Sequence, residues 1–299
     1  MKKIFITGSN GLLGRKLIEV LDSSYNLIGC DLNSEPTDVG HSYLSLDLTD
    51  RRGTIDTIRD IGPDLIIHTA AMTNVDRCEL EKEKCWRNNV TATENIVLGA
   101  DKVNAKVVFL STDYVFDGRE GPYSEDDRPD PISYYGRSKL AAENLLRGSR
   151  LDWAIIRTIV LYGHGSNNFL PWLVGELKAE RPVRIVNDQW SNMTFVDDLA
   201  VGIDKVISRD FTGILNISGD EFMDRYQFAC MIALSFGLDT DLITSVTTSQ
   251  LHQSAPRPLK SGLKIDKAKH ELGFYPHTID ESLLTYKRQT RLINSTIDH

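Results

Sequence analysis

The sequence is poor in cysteine, with four in 299 residues, and its seven histidines do not accompany them at the spacing of a metal site. No Cys-x-x-Cys pair occurs, so we predict reduced, structural thiols and no bound metal. Long apolar runs are also absent: no stretch of about 18 uncharged apolar residues is present, so the sequence predicts no membrane-spanning helix. The four cysteines are Cys30, Cys78, Cys85 and Cys230.

The N-terminus is the segment that most resembles a secretion signal. Two lysines precede an apolar stretch, but three glycines interrupt it and Arg15 and Lys16 end it. No small-residue cleavage site follows. We therefore predict a cytoplasmic protein.

Positively charged residues are in the minority: the chain has 34 Lys and Arg but 42 Asp and Glu, which gives a formal net charge of −8. This balance argues against a protein that binds nucleic acid through bulk charge. It leaves room for small anionic ligands, provided that they bind in a locally basic cleft. With 41% apolar residues, the chain is typical of a globular protein with a substantial core.

Apolar runs typical of β-strands alternate with stretches of helical periodicity through the first half of the chain. Strands are predicted at 3–7, 26–31, 42–46, 64–68, 106–110 and 153–157, with helices at about 51–61, 81–103 and 138–146. Strands without polar alternation are buried on both faces, so the pattern predicts an α/β fold with a Rossmann-type, doubly wound parallel sheet. We predict a dinucleotide-binding domain over 1–158. A smaller lobe over 159–299 is predicted to bind mainly substrate and to return to the main sheet at 213–217.

Three glycines, Gly8, Gly11 and Gly14, separate the first predicted strand from the first helix. The first glycine permits a tight turn, the second lets the backbone approach a pyrophosphate, and the third allows close helix–strand packing. The helix N-terminus then attracts the diphosphate of a dinucleotide. A purely structural turn is the alternative. The residues predicted to bind cofactor here are Gly8, Asn10, Gly11, Leu12, Leu13 and Gly14.

Asp31 ends the second predicted strand, about 20 residues after the glycines, where a carboxylate accepts hydrogen bonds from the adenosine ribose. A negative charge there repels a 2′-phosphate, so NADH is favoured over NADPH. Neither Leu32 nor Asn33 supplies the basic residue that NADPH would favour. A solvated aspartate at a strand end is the alternative.

Tyr135 and Lys139 form a Tyr-x-x-x-Lys motif, and residues four apart share one face of a helix. A neighbouring ammonium is expected to lower the pKa of the phenol, so that it can exchange a proton near neutral pH. Ser111 and Thr112 close the fifth predicted strand, at the sheet edge where doubly wound folds bind ligands. In this order, these features indicate a short-chain dehydrogenase/reductase.

The glycine spacing and several longer stretches resemble the extended short-chain dehydrogenases/reductases, and among them the dTDP-4-dehydrorhamnose reductases. The resemblance covers nearly the whole chain, and STDYVFDG is its most specific segment. The matching stretches are 47–50 (DLTD), 70–76 (AAMTNVD), 111–118 (STDYVFDG), 135–139 (YGRSK), 157–158, 167–169, 188–189, 196–200 (VDDLA), and Arg257 and Pro258 with Ser261.

The resemblance implies that the C4 keto group of dTDP-4-dehydrorhamnose is reduced to give dTDP-rhamnose, for cell-surface polysaccharide synthesis. Tyr135 would give a proton to the C4 oxygen while NADH or NADPH delivers a hydride. Lys139 would hold the nicotinamide ribose, and Thr112 would orient the same oxygen. The cofactor groove would include Asp47, Leu48, Ala70, Ala71, Met72 and Leu110, and Asp113 would contact the sugar.

Two departures from the family pattern concern the substrate. Val160 stands where a tryptophan packs on the sugar, and Trp172 or Trp190 could replace that ring. Lys260 stands where the family has Asn. For the substrate diphosphate, the sequence offers Arg257, with Lys260 or Arg184 as further cations. The exact sugar and nucleotide therefore stay open.

Other functions share this fold. The resemblance implies that a 4,6-dehydratase follows its threonine with Asp-Glu, whereas here Asp113 and Tyr114 follow Thr112. A 4-epimerase keeps Tyr-x-x-x-Lys, and a relative of these reductases is the regulatory subunit of methionine adenosyltransferase in animals. We interpret His68, at the end of the fourth predicted strand, as structural. A homodimer is compatible with the sequence, which does not determine oligomeric state.

Overall fold

The computed structural model describes residues 1–33, 35–36, 41–165 and 168–297, and side chains as far as residue 291. Asn167, which belongs to one of the matching stretches, lies outside the described residues. The strands are β1 (Lys3–Thr7), β2 (Asn26–Asp31), β3 (Ser42–Ser45), β4 (Leu65–His68), β5 (Lys106–Thr112), β6 (Trp153–Thr158), β7 (Leu161–Tyr162), β8 (Val183–Val186), β9 (Trp190–Ser191), β10 (Thr194–Phe195), β11 (Gly213–Asn216), β12 (Met223–Asp224) and β13 (Ile243–Val246).

Helices connect these strands, and one region predicted as a single helix is interrupted. Within 81–103, a π-helical turn at Arg87–Thr91 separates two α-helices. The helices are α1 (Leu12–Leu21), α2 (Arg51–Ile61), α3 (Val75–Leu80), α4 (Lys82–Trp86), α5 (Ala92–Val103), α6 (Tyr134–Arg147), α7 (Phe169–Lys178), α8 (Val196–Ser208), α9 (Arg225–Phe236), α10 (Thr248–Leu251), α11 (Asp266–Leu272) and α12 (Ile279–Ile297).

Seven parallel strands form the main sheet in the order β3-β2-β1-β4-β5-β6-β11. Both faces are buried: in β1, Ile4 and Ile6 pack in the core that contains α1 and α8, while Phe5 packs in the core that contains α2, α5 and α6. The strand order reverses between β1 and β4, which opens a crevice at their carboxyl ends. The predicted Rossmann-type α/β fold is confirmed.

The second half of the chain supplies a smaller core of its own. Helices α7, α9 and α12 enclose the paired strands β8 and β13. The same half returns β11 to the edge of the main sheet and packs α8 against α1. The domain boundary at 158 stays a prediction.

A buried ion pair fixes α6 to the sheet. Arg157 of β6 donates from Nε and Nη2 to the two carboxylate oxygens of Glu143 in α6, at 3.0 and 2.8 Å. Ser111 of β5 donates to the same carboxylate at 2.6 Å. Both charged side chains are at most 1% exposed. The helix that carries Tyr135 and Lys139 is thereby joined to two strands.

The four cysteines carry free thiols, three of them buried. In the part of the chain that the structure describes, no helix is both long and apolar enough to cross a membrane.

Candidate active site

A cleft of about 720 Å³ lies at the carboxyl ends of the central strands, and it gathers most of the residues predicted from the sequence. Two predicted residues, Asn10 and Arg257, are not among those that line it. The predicted residues that do line it are Gly8, Gly11, Leu12, Leu13, Gly14, Asp31, Asp47, Leu48, Ala70, Ala71, Met72, Leu110, Thr112, Asp113, Tyr135, Lys139 and Val160.

The glycine turn has the shape and the free donors that a diphosphate requires. Gly8 has φ +72°, and a Cβ on Gly14 would lie 2.2 Å from the carbonyl oxygen of Gly8. Helix α1 begins after Gly11 without a side-chain cap and has no acidic residue in its first turn. Its first N–H groups are therefore available to an anion, which is the fit expected for a dinucleotide cofactor.

Asp31 is tied to this turn. Its Oδ2 accepts from the backbone N–H of Asn10 at 3.2 Å, and its Oδ1 accepts from that of Leu32 at 2.7 Å. The side-chain amide of Asn10 donates to the hydroxyl of Tyr43 and to the carbonyl of Glu35. Asn10 thus acts on the cleft by holding the turn against β2.

The π-helical turn places the buried Asn89 behind the wall of the cleft, where it makes contacts that the sequence did not predict. Its Oδ1 accepts from the backbone N–H of Met72 at 2.7 Å, and its amide donates to the carbonyl of Met72 at 3.1 Å. The same amide donates to the hydroxyl of Ser138 in α6 at 2.9 Å. One side chain therefore joins the cofactor groove to the helix that carries Tyr135.

Tyr135 and Lys139 lie on the buried face of α6, which begins after Ser133. Burial raises the pKa of Tyr135, opposed by its hydrogen bond with Thr112. The expectation that Lys139 lowers this pKa is wrong for this structure, because burial outweighs every opposing contact. Tyr135 is consequently protonated at neutral pH, the form that can donate a proton.

Thr112 and Asp113 continue the hydrogen-bonded chain from Tyr135. Thr112 donates from Oγ1 to Oδ1 of Asp113 at 3.0 Å, and Ser261 donates to Oδ2 at 2.6 Å. Burial raises the pKa of Asp113 to about 6, against these hydrogen bonds and the charge of Arg225. Ser261 ties the C-terminal segment to the reacting end of the cleft.

His68 is a satisfied core residue. Its ring nitrogens pair with the hydroxyls of Thr7 and Thr93, and burial, with Lys139 nearby, lowers its pKa to about 3. Lys139 itself sits 4.0 Å from the centre of the Phe109 ring. Burial lowers the pKa of Lys139 to about 7, although Glu143 and Cys85 oppose that shift.

The shifted pKa of Lys139 predicts a pH-dependent affinity for NADH. A proton must be taken up above pH 7 before the ammonium can hold the cofactor, so we expect the affinity to fall by up to about tenfold per pH unit between about pH 7 and 9. Fluorescence titration at several pH values measures it. Lys139→Arg, which stays charged, should remove the dependence. A wild-type affinity that is constant over this range contradicts the prediction.

The substrate side of the cleft differs from the sequence prediction. Phe169 is the aromatic residue of α7 that lines it, whereas neither Trp172 nor Trp190 does. Val160 lines it with φ +30°, unusual for a β-branched residue, and its carbonyl accepts from the N–H of Thr194.

The cations predicted to hold a diphosphate lie elsewhere. The guanidinium of Arg257 is 2.6 Å from Asp76, and Arg184 and Lys260 are exposed outside the cleft lining. Arg225, at the start of α9, lines the cleft instead, and no sequence motif indicated it.

Because the cleft offers a helix N-terminus to a diphosphate and a protonated phenol to a carbonyl, the chain has the site architecture of the Rossmann-type, nicotinamide-dependent reductases. Within that class, it belongs to the family of the RmlD substrate binding domain, whose family model matches residues 1–291.

Several relatives are similar along nearly the whole chain. The spore coat polysaccharide biosynthesis protein SpsK of Bacillus subtilis is 33% identical over 97% of this chain and 98% of its own. The crystal structure of dTDP-4-dehydrorhamnose reductase from Bacillus anthracis in complex with NADP is 30% identical, with a TM-score of 0.88, covering 97% of this chain and 100% of that one. Methionine adenosyltransferase 2 subunit beta of Rattus norvegicus is 30% identical over 89% and 81% of the two chains.

Proposed function

We propose that the protein reduces the C4 keto group of a nucleotide-activated deoxysugar, with dTDP-4-dehydrorhamnose as substrate and dTDP-rhamnose as product. The observation that carries this proposal is the buried Tyr135, protonated at neutral pH and hydrogen-bonded with Thr112 in the cleft that holds the phosphate-binding turn. The similarity to the Bacillus anthracis reductase supports the choice of substrate. The product would serve cell-surface polysaccharide synthesis, in keeping with the name of the SpsK relative.

The residues of the cleft divide the reaction between them. Reduced nicotinamide, when bound, supplies the hydride to C4. Tyr135 donates its phenolic proton to the C4 oxygen, so the ketone gains one hydride and one proton and becomes an alcohol. Thr112 lies between Tyr135 and Asp113, where its hydroxyl can orient the substrate oxygen. Lys139, when protonated, holds the cofactor and favours the return of a proton to the phenolate.

A non-catalytic role is the second proposal, because the methionine adenosyltransferase subunit is about as similar as the reductase. A 4-epimerase or dehydratase on this fold would keep Tyr135 and Lys139 as well. The dehydratase is disfavoured by Tyr114, which takes the place of the required Glu. The intact hydrogen-bonded chain from Tyr135 to Asp113 favours catalysis over binding alone.

A substrate panel separates these functions. We expect purified protein to consume reduced nicotinamide with 4-keto-6-deoxy sugars linked to dTDP, and the sugar product to carry a new C4 hydroxyl by NMR. UDP- and GDP-linked sugars complete the panel. Cofactor binding without turnover on any of them would support the subunit role. Formation of a 4-keto sugar from a dTDP-hexose would indicate a dehydratase, and inversion at C4 without net redox change an epimerase.

We also propose that NADH is preferred over NADPH, because the carboxylate of Asp31 ends β2 beside the phosphate-binding turn. The reductase from Bacillus anthracis holds NADP, so this preference needs its own measurement. The same assay gives kcat/KM for each cofactor. Asp31→Ser should reduce the preference by removing the negative charge, and equal values for both cofactors in the wild type contradict it.

A further inference from the structure

Arg225 is a cation of the cleft wall that the proposed chemistry does not use. Its side chain is half-buried and lines the cleft close to Tyr114 and Asp113. Among the described residues, no carboxylate lies within 4.0 Å of its guanidinium. The neighbouring Arg257, by contrast, is held by Asp76 at 2.6 Å.

The position of Arg225 is fixed by the backbone around it. Asp224 caps α9 by accepting from the N–H of Gln227 at 2.9 Å, and Gln227 accepts in return from the N–H of Asp224. The N–H of Arg225 donates to the carbonyl of Gln189 at 3.2 Å. The guanidinium stands 5.9 Å from the centre of the Phe169 ring. The backbone that carries the side chain therefore needs no rearrangement before a ligand binds.

This environment is costly for a guanidinium without a partner. Burial lowers the pKa of Arg225, and the nearby Arg257 acts in the same direction. The carboxylate of Asp113 attracts the guanidinium of Arg225. Both oxygens of that carboxylate, however, already accept hydrogen bonds from the hydroxyls of Thr112 and Ser261. A partly buried charge is stabilised by a hydrogen-bonding counterion, so the site suits an anion that comes with the ligand.

The place of Arg225 relative to the reacting residues indicates which anion. Thr112 is the residue proposed to orient the C4 oxygen, and Arg225 acts on the next residue, Asp113, from the substrate lobe. In a pyranose, C1 lies across the ring from C4, so a diphosphate on C1 begins one sugar-width from the reacting oxygen. We propose that Arg225 binds this diphosphate through its planar fork of N–H donors and thereby sets the selectivity for nucleotide-activated sugars.

The proposal rests on the proposed function for the identity of the ligand, and it is tested by binding rather than by turnover. Calorimetry on protein loaded with oxidised cofactor compares dTDP with thymidine, which has the same base and no phosphate. We expect Arg225→Met to weaken the binding of dTDP by about 10- to 100-fold and to leave the affinity for thymidine unchanged. Arg225→Lys should restore part of the loss, because it keeps the charge and loses the fork.

The matched control is Arg181→Met, since Arg181 belongs to the same lobe but is exposed and paired with Glu176. It should bind dTDP like the wild type. Cofactor affinity and melting temperature of the Arg225 variants report whether the fold is intact. In turnover, Arg225→Met should raise KM for the sugar nucleotide more than it lowers kcat.

The outcomes separate this inference from the proposed function. The inference is overturned if Arg225→Met binds dTDP with an affinity within about twofold of the wild-type value, or if it loses affinity for thymidine by the same factor as for dTDP. This holds whether or not the protein is a reductase. If wild type binds dTDP through Arg225 but reduces no keto sugar, the inference stands and the reductase proposal fails. If dTDP does not bind, UDP and GDP with their nucleosides replace it, and binding of none of them overturns the inference.

Discussion

Tyr135→Phe should abolish turnover while sparing the cofactor: we expect kcat to fall by about 10²- to 10⁴-fold, the contribution of a positioned general acid. The phenol is buried and its pKa is raised, so at neutral pH it carries the proton that the C4 oxygen must receive. The ring is retained in phenylalanine, so its edge contact with Tyr114 and the packing of α6 should persist. Steady-state kinetics with the best substrate of the panel give kcat, and fluorescence titration gives the affinity for reduced cofactor.

The neighbouring Tyr134 provides the matched control. It begins the same helix, but its ring packs near Trp86 and Lys82 and it does not line the cleft. Tyr134→Phe should therefore keep kcat near the wild-type value. Activity of Tyr135→Phe within about tenfold of wild type would falsify the proton-donor role.

Breaking the buried pair between Glu143 and Arg157 should have the largest effect on stability. We expect Glu143→Met or Arg157→Met alone to lower the free energy of unfolding by about 3–5 kcal/mol, because each leaves an uncompensated charge in the core. The double variant should be less destabilised than the sum of the two, since it leaves no buried charge. Urea unfolding of the three variants gives the coupling energy.

Two further measurements make this test specific. Arg59→Met removes a cation that is paired with Asp56 at the surface, and it should leave the free energy of unfolding nearly unchanged. Glu143 also raises the pKa of Lys139, so Glu143→Gln should shift the pH dependence of NADH affinity to lower pH. Two outcomes would contradict this role of the pair. One is that the effects of the two single variants on the free energy of unfolding add up in the double variant, and the other is that Glu143→Gln leaves the pH dependence of NADH affinity unchanged.

Much of the cofactor side could be predicted from sequence because its signals are local. The glycines follow a strand, Asp31 and Thr112 each end one, and the carboxyl ends of parallel strands share one edge of a sheet. The relation between Tyr135 and Lys139 was only half predictable. Spacing along a helix places two side chains on one face, but it does not report the burial that raises the pKa of the phenol.

The substrate side was less predictable because its residues come from separate loops and short elements. Phe169 begins α7 and Arg225 begins α9, no motif marked Arg225, and the two side chains meet only because α7 packs against α9 in the second lobe. Arg257 matched a family pattern, yet the sequence could not show that Asp76, far away in the chain, takes its charge. Asn89 gave one weak signal, a polar residue inside a long predicted helix, but nothing in the spacing marked a π-helical turn.

The shared use of Asn89 has a consequence for engineering. The side-chain amide of Asn89 hydrogen-bonds both Met72 in the groove wall and Ser138 in α6, the helix that carries Tyr135. A change that moves the groove wall is therefore expected to move α6 as well. A library that enlarges the groove around Met72 to accept synthetic nicotinamide analogues should therefore lose catalytic geometry together with cofactor fit. Compensating changes should be found along α6, on the opposite side of Asn89 from the bound analogue.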